Sequence, residues 1–511
     1  MSRPVFWLAA TAILGLALWW RLEALDRRPL WLDETSTEAV VRESPTLAVL
    51  WSHGARDQFL HPPLAYLGNW LATRDGITPE RLRLPSVAEG LASIALAIAL
   101  GTRLFGRGAG LLTGFLLAIS FHHVDFSQEA RPYMASVALT LAAYLALFTW
   151  VERRRPAALA AFVACSALAL YTYHLALLHV GVAAAVVALD GLATARRDGL
   201  DAAARRAAPF GIAGATLVFL YLPQIENLRG FLAGSGAVPN HVLGLGPRVL
   251  DAVADRWVSG PAWATALCEV AFAVGAVRLA RRRDAVAAGV AAWLAAPFLL
   301  FGLVPFSKYF DLRFLISAVP AFFLVVAAGI DGAARAVPWP RLRAAAALVC
   351  AALLFVPAAR LHPVYRDAAQ RCGDIVRDPA IFTANGRLCA DHLMLNTIRA
   401  EHQWVLRKVG RWIELPPALL DAYAGRYRFA DGRAIDLRRD GDHLVAQIEG
   451  RYAFALVAES ETRLPFRVDH RVITIERAPD GRPAALVLSG GGPGSRAVRE
   501  AGASPGGDET P

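Results

Sequence analysis

Two adjacent carboxylates, Asp33 and Glu34, stand in the segment Leu30-Trp31-Leu32-Asp33-Glu34-Thr35, just after the first apolar stretch of the chain. Like charges this close perturb each other's proton affinity, which suits acid/base work. A second polar cluster, Ser127-Gln128-Glu129-Ala130-Arg131-Pro132-Tyr133, joins two later apolar stretches. A third runs Phe306-Ser307-Lys308-Tyr309-Phe310-Asp311-Leu312-Arg313. Lysine and arginine at the mouth of an apolar segment suit an anionic phosphate. Charge beside a bilayer is costly without a partner or a use, so these positions are functional candidates. Each cluster also has a plainer reading. Asp33 and Glu34 suit a helix N-terminus. Glu129, Arg131 and Tyr133 suit a local ion pair with an interfacial tyrosine, and Glu129 and Tyr133, four apart, could share a helix face. Lys308 and Arg313 suit side chains reaching for the interface.

The elements that must position these groups are apolar. The 511 residues are 56% hydrophobic and only 19% charged. The mean hydropathy is +0.39. Such a composition excludes an ordinary soluble enzyme of this length and implies a polytopic α-helical membrane protein. The first stretch ends in Trp19-Trp20-Arg21 instead of a small-residue cleavage site, so it reads as a retained helix. Further apolar segments at 85–101, 109–125, 133–151, 157–173, 175–190, 208–223, 262–279, 285–305, 314–330 and 344–359 raise the expectation to about 11 transmembrane helices. Alternate loops are arginine-rich, at Arg103 and Arg107, Arg153 to Arg155, Arg196 to Arg206, Arg278 to Arg283, and Arg335 to Arg343. The positive-inside rule assigns these loops to the cytoplasm. All three acidic or basic clusters then fall on the outer face, and so does the tail after residue 360. The net charge of +10 is largely this inner-leaflet arginine, which interacts well with anionic lipids and gives no reason to expect nucleic acid.

The long first outer loop carries His61-Pro62-Pro63-Leu64, whose prolines fix the chain at the start of a short apolar helix at 64–72. That helix is too short to span and reads as interfacial or re-entrant. Tyr171-Thr172-Tyr173-His174 reads as an aromatic interface belt. The pair His122-His123 leaves a divalent metal open, without the spaced ligand set that would define a site. No cofactor is otherwise implied. Cys165, Cys268 and Cys350 lie in apolar segments as small buried groups. Cys372 and Cys389 lie in the outer tail, where both a disulfide and free thiols are open.

Four parts follow along the chain: a membrane body at 1–360, a charged connector at 361–415, a small β domain at 416–492, and a Gly/Ser/Pro-rich disordered tail at 493–511. In the β part, alternating runs such as Ala434-Ile435-Asp436-Leu437-Arg438 and Val472-Ile473-Thr474-Ile475-Glu476 are separated by turns at Asp431-Gly432, Asp440-Gly441 and Asp480-Gly481. That spacing predicts a compact antiparallel sheet or barrel.

The ordered set of Leu-Asp-Glu after the first helix, His61-Pro62-Pro63-Leu64, Arg83-Leu84-Pro85-Ser86, Gln128-Glu129-Ala130-Arg131-Pro132-Tyr133 and Arg313-Phe314-Leu315 leading to Pro320 resembles bacterial glycosyltransferase family 39. That family includes the dolichyl-phosphate-mannose protein mannosyltransferases. It is similar in architecture to the lipid A aminoarabinose transferases, all of the membrane GT-C fold. The resemblance covers roughly residues 20–330. It implies a polyprenyl-phosphate-linked sugar donor and an acceptor outside the cytoplasm, in a bacterial inner membrane. Asp33 matches the first acidic position of the family and Glu129 the second. Ala65-Tyr66 departs from the paired aromatic common after His-Pro-Pro-Leu. The tail, from Tyr423-Ala424-Gly425-Arg426-Tyr427 to Leu486-Val487-Leu488, resembles the small β-barrel domain appended to some penicillin-binding-class serine hydrolases.

Residues and resemblance together predict a membrane glycosyltransferase acting on a protein, lipid or glycan acceptor, with inversion as the simplest stereochemical outcome. Asp33, Glu34 and Glu129 are the expected catalytic carboxylates. Arg131, Lys308 and Arg313 are expected at the donor phosphate, and His61, Tyr133 and Tyr309 at the substrate. The alternative is a transporter or flippase of lipid-linked sugars. Against it, transporters place ionisable groups near the bilayer midplane, and the apolar segments here are almost free of charge. A sensor with the β domain as receiver ranks last.

Overall fold

The computed structural model describes residues 1–23, 25–26, 30, 32–56, 61–233, 247–258, 261–303, 312–339, 342–343, 345–360, 413–441, 443–448, 453–456, 458–465, 472–489 and 495–500. Lys308, Tyr309, Cys372, Cys389, most of the connector and residues 501–511 lie outside that set.

The helices begin with α1 (Arg3–Leu22), α2 (Leu32–Arg42), α3 (Leu47–Arg56), α4 (Leu64–Ala72), α5 (Pro79–Phe105), α6 (Arg107–Ile119), α7 (Phe121–Ser127), α8 (Tyr133–Arg153) and α9 (Pro156–Leu170). There follow α10 (Ala176–Asp198), α11 (Leu200–Tyr221), α12 (Ile225–Ala233), α13 (Pro247–Val258), α14 (Ala262–Ala280), α15 (Ala285–Leu303) and α16 (Val319–Ala336). Then come α17 (Ala345–Arg360) and α18 (Pro417–Tyr423). Among the described residues seven helices are long and apolar enough to cross a membrane, and α6 with α7 forms an eighth span broken by 65°. The helices α9, α15 and α17 are apolar but shorter. These account for the apolar segments seen in the sequence. The polytopic helical architecture is as expected, with seven or eight full-length spans and three shorter apolar helices among the described residues.

Close packing in the bundle depends on small residues. A Cβ on Gly275 of α14 would lie 1.9 Å from the carbonyl oxygen of Val325, and one on Gly329 of α16 would lie 1.7 Å from that of Ala271. Glycine therefore lets the two backbones touch, as is common where lipid supplies no hydrophobic drive between helices. The helix α16 is buried over most of its length. A 3₁₀ turn, Leu312–Ala318, leads straight into it and carries Arg313.

The β domain is an eight-stranded antiparallel sheet in the order β4-β3-β2-β1-β8-β7-β6-β5. Its strands are β1 (Gly425–Phe429), β2 (Ala434–Asp440), β3 (His443–Ile448), β4 (Ala453–Ala455), β5 (Arg463–Pro465), β6 (Val472–Arg477), β7 (Pro483–Leu488) and β8 (Arg496–Arg499). Tyr427, Ile435, Leu437, Ile473 and Leu486 are fully buried together beneath α18 residue Tyr423. The domain extends beyond the expected end at 492. Strand β8 falls within the predicted disordered tail and pairs with both β1 and β7. The composition of 490–495 hides a short run in which Ala497 is buried in the core and its neighbours are not.

Candidate active site

Four separate stretches of chain bring the site together. The first turn of α2 carries Asp33, the segment before α4 carries His61, the turn between α7 and α8 carries Glu129 and Arg131, and the 3₁₀ turn carries Arg313. The Asp33 carboxylate accepts a hydrogen bond from Arg313 Nη1 at 2.5 Å. The same nitrogen donates to the Tyr133 hydroxyl at 3.2 Å. Arg131 Nη1 donates to the Asp33 carbonyl at 3.0 Å and to Thr37 Oγ1 at 3.3 Å. Its Nη2 meets His61 Nε2 at 2.5 Å. A guanidinium can only donate, so His61 Nε2 must carry a lone pair and the imidazole is neutral. Burial, and after it the charge of Arg131, the neighbour His174 and Arg313, hold His61 well below the usual histidine range. The Tyr66 hydroxyl accepts from the His61 backbone N–H at 3.0 Å. The aromatic rings of Tyr133 and Tyr173 close this side, with Tyr173 edge-on to both His61 and Tyr133.

Asp33 keeps 27% of its side chain exposed, whereas Arg313 keeps 7%. The cluster thus presents one reachable carboxylate backed by fixed cations. Glu129 is 4% exposed, in the turn that also carries Arg131. It does not share a helix with Tyr133, because α8 begins at Tyr133 and Glu129 lies in the turn before it.

Glu34 has a different place from the one expected of a catalytic carboxylate. Successive side chains on a helix point about 100° apart, so Glu34 faces inward where Asp33 faces the site. Arg83 grips both of its oxygens, Nε at 2.8 Å and Nη2 at 2.7 Å, and both side chains are fully buried. The backbone N–H of Ala130 donates to Glu34 Oε1 at 2.8 Å. Arg83 also donates to the Leu25 carbonyl at 2.8 Å. Glu34 is therefore a strut tying α2 to α5 and to the turn that carries Glu129 and Arg131. Planar bidentate pairing of this kind needs arginine.

A second strut holds the broken span. Arg21, at the last turn of α1, donates to the carbonyls of Leu117 and Ala118, both at 3.3 Å, which the break at Ser120 leaves without helical partners. It also meets Ser127 Oγ at 3.1 Å and His123 Nδ1 at 2.8 Å. His123 Nε2 in turn meets Ser93 Oγ at 2.9 Å. Gly90 is required beside this group, since a Cβ there would lie 2.4 Å from Ser127 Oγ. Gln128 Nε2 bonds the carbonyls of Arg21 and Glu23 at 3.1 and 3.0 Å, which anchors the turn to the end of α1.

His123 is thus used in the helix break, and no group of three His, Cys, Asp or Glu among the described residues could hold a metal ion. Tyr173 and His174 are buried instead of lying in an interface belt. His174 Nδ1 meets the Tyr221 hydroxyl at 2.8 Å. The alternation of aromatic and polar residues there looked interfacial because the sequence could not show that His61 would stand against Tyr173. Arg83 and Thr37 were not expected in functional roles. Arg83 was visible only as part of a family motif, and Thr37 carries no distinguishing signal.

A family model, Dolichyl-phosphate-mannose-protein mannosyltransferase, matches residues 60–197. That stretch holds His61, Arg83, Glu129, Arg131 and Tyr133 and omits Asp33 and Arg313. No curated protein matches the sequence. Among solved structures the chain is similar to ArnT from Cupriavidus metallidurans in the apo state, at 17% identity over 82% of this chain and 79% of that one, with a TM-score of 0.50. ArnT from Cupriavidus metallidurans bound to undecaprenyl phosphate matches at 15% identity, over 82% and 78%, with a TM-score of 0.49. The apo oligosaccharyltransferase of Archaeoglobus fulgidus matches at 13% identity, over 70% and 56%, with a TM-score of 0.47. The likeness to apo ArnT defines the class of fold: a polytopic helical membrane protein of GT-C architecture, here with a small antiparallel β domain.

Proposed function

We propose that this protein is a membrane glycosyltransferase that moves a sugar from a polyprenyl-phosphate donor to an acceptor hydroxyl outside the cytoplasm. The observation that carries the reading is the Asp33 carboxylate, partly exposed and held against Arg313 with Arg131 at its back. The fold shared with ArnT, which has been crystallised with undecaprenyl phosphate, and the mannosyltransferase family model support it.

In this mechanism Asp33 takes the proton of the acceptor hydroxyl, whose oxygen attacks the anomeric carbon. The bond to the polyprenyl phosphate breaks and the electron pair leaves with the phosphate. Such a leaving group needs charge stabilisation more than protonation, which Arg131 and Arg313 supply, with Lys308 as a further candidate. A phosphate arriving at Arg313 competes with Asp33 for the guanidinium and leaves the carboxylate open to the acceptor. Neutral His61, its Nε2 lone pair taken by Arg131, keeps an Nδ1–H that can donate one hydrogen bond to the substrate without adding charge. Attack on one face with a single base gives inversion. Glu129, nearly buried in the turn that carries Arg131, is a further candidate carboxylate.

The test is mass spectrometry of envelope glycans, glycolipids and glycoproteins from cells lacking the chain, complemented with wild type or Asp33→Asn. Loss of one sugar modification, restored only by wild type, is the expected result. An unchanged set of products with a lipid-linked sugar accumulating at the inner leaflet would replace the transferase with a transporter.

A further inference from the structure

At the arginine-rich ends of α8 to α11 a cleft of about 930 Å³ opens. It lies at the far end of α8 from Tyr133, about 30 Å away by helix rise, and is separate from the Asp33 site. Its lining is part apolar, with Trp150, Leu159 and Ile212, and part cationic, with Arg154, Arg205 and Arg206. Ile212 is 71% exposed, so α11 offers the cleft an apolar face continuous with the bilayer side of the bundle.

The cations are arranged beyond what charge balance needs. Arg154 ends α8 in the left-handed region at φ 51°, a conformation a side chain other than glycine rarely adopts without a reason. Its guanidinium lies 4.3 Å over the Trp150 ring. Its Nη1 donates to the Arg206 carbonyl at 3.1 Å, and it shares Asp190 with Arg206. The Arg154 Nε is buried with no hydrogen-bond partner among the described residues. Arg205 is exposed and has no hydrogen-bond or ion-pair partner among them. Asp190 and Asp198 oppose the three arginines, which leaves one positive charge in excess at the rim.

We propose that this cleft binds one anionic phospholipid, with its phosphate on the rim of Arg154, Arg205 and Arg206 and its chains along the apolar faces of α9 and α11. The exposed guanidinium of Arg205, beside the Arg154 and Arg206 pair held by Asp190, matches phosphate oxygens. An apolar wall open to the bilayer matches acyl chains and not a free anion. The inference stands apart from the proposed transferase activity, since it concerns the opposite end of the bundle.

Native mass spectrometry of the full chain, stripped of lipid in detergent and titrated with phosphatidylglycerol or phosphatidylcholine, tests it. Phosphatidylglycerol should be retained as a single adduct, with phosphatidylcholine about tenfold weaker. Arg205→Glu should weaken the adduct about tenfold. Ala164→Trp, which fills the cleft from an exposed position on α9, should do the same by excluding the chains. Arg196→Glu, an exposed change outside the cleft, should leave it intact. Melting curves equal to wild type confirm folding, and if one variant fails to fold the other decides. Equal retention of the two lipids, or retention untouched by the cleft variants, would overturn the proposal. Displacement of the lipid by inorganic phosphate alone would also overturn it, by showing a bare anion site.

Discussion

Arg313 Nη1 bonds the Asp33 carboxylate across 280 positions of sequence and touches the Tyr133 hydroxyl with the same nitrogen. One guanidinium thus joins the first turn of α2, the start of α8 and the 3₁₀ turn before α16. The reachable carboxylate, its cation and the nearest phenol form one unit, and a change in any of them acts on the others.

Asp33→Asn keeps the size of the side chain and an acceptor for Arg313 but removes the base. Turnover should fall by at least about 10²-fold, while the melting temperature stays close to that of wild type. Transfer from a polyprenyl-phosphate sugar by the purified protein measures the first and tryptophan fluorescence on heating the second. Wild-type turnover would remove Asp33 from the chemistry.

Arg313→Lys and Arg131→Lys keep the charge and lose the planar fork. Arg131 reaches the Asp33 carbonyl and His61 through two nitrogens of one plane, which lysine cannot do, and Arg313 reaches Asp33 and Tyr133 through one nitrogen, which the shorter lysine would place differently. Each variant should lose about 10- to 10³-fold in kcat, as expected when a fixed donor at developing charge is removed. A change in KM alone would assign these arginines to ground-state binding.

Breaking the Glu34 and Arg83 pair should act on stability first. Arg83→Ala leaves Glu34 buried without its charge partner, at a cost of about 3–5 kcal/mol. Melting in detergent should show a large drop for Arg83→Ala and a smaller one for Glu34→Gln, which keeps an acceptor for Ala130. A Glu34→Gln protein as stable as wild type yet inactive would return Glu34 to a catalytic role.

His61 gives a pH dependence of known sign. The folded state holds it neutral, so on acidification the unfolded chain takes up the proton first. Stability present above about pH 6.5, the unfolded value, should be lost as pH falls toward the depressed folded value. His61→Gln should flatten the melting temperature between about pH 7.5 and about pH 5. His174, lowered by its own burial, contributes a slope of the same sign that remains in that variant. A profile unchanged by His61→Gln would show that His61 accepts the proton in the folded state.

Much of the bundle is legible locally. Apolar runs of spanning length are dictated by the hydrocarbon thickness, and all of them are helical here. Turn pairs such as Asp431-Gly432 and Asp480-Gly481 marked the β domain, because positive φ at glycine is a local requirement. The break between α6 and α7 was not legible. It depends on Arg21, about a hundred residues earlier, reaching the freed carbonyls of Leu117 and Ala118. The start of β8 was hidden by the glycines before it.

The sequence by itself determined the membrane class, the polar clusters at helix ends, and Asp33, Arg131 and Arg313 as groups able to do chemistry. These follow from residue type and short spacing, which a bilayer reads directly. Only the tertiary structure separated Asp33 from its neighbour Glu34. A helix turns adjacent side chains to different faces, and what each face meets is decided by chain far away: Arg313 for one carboxylate, Arg83 for the other.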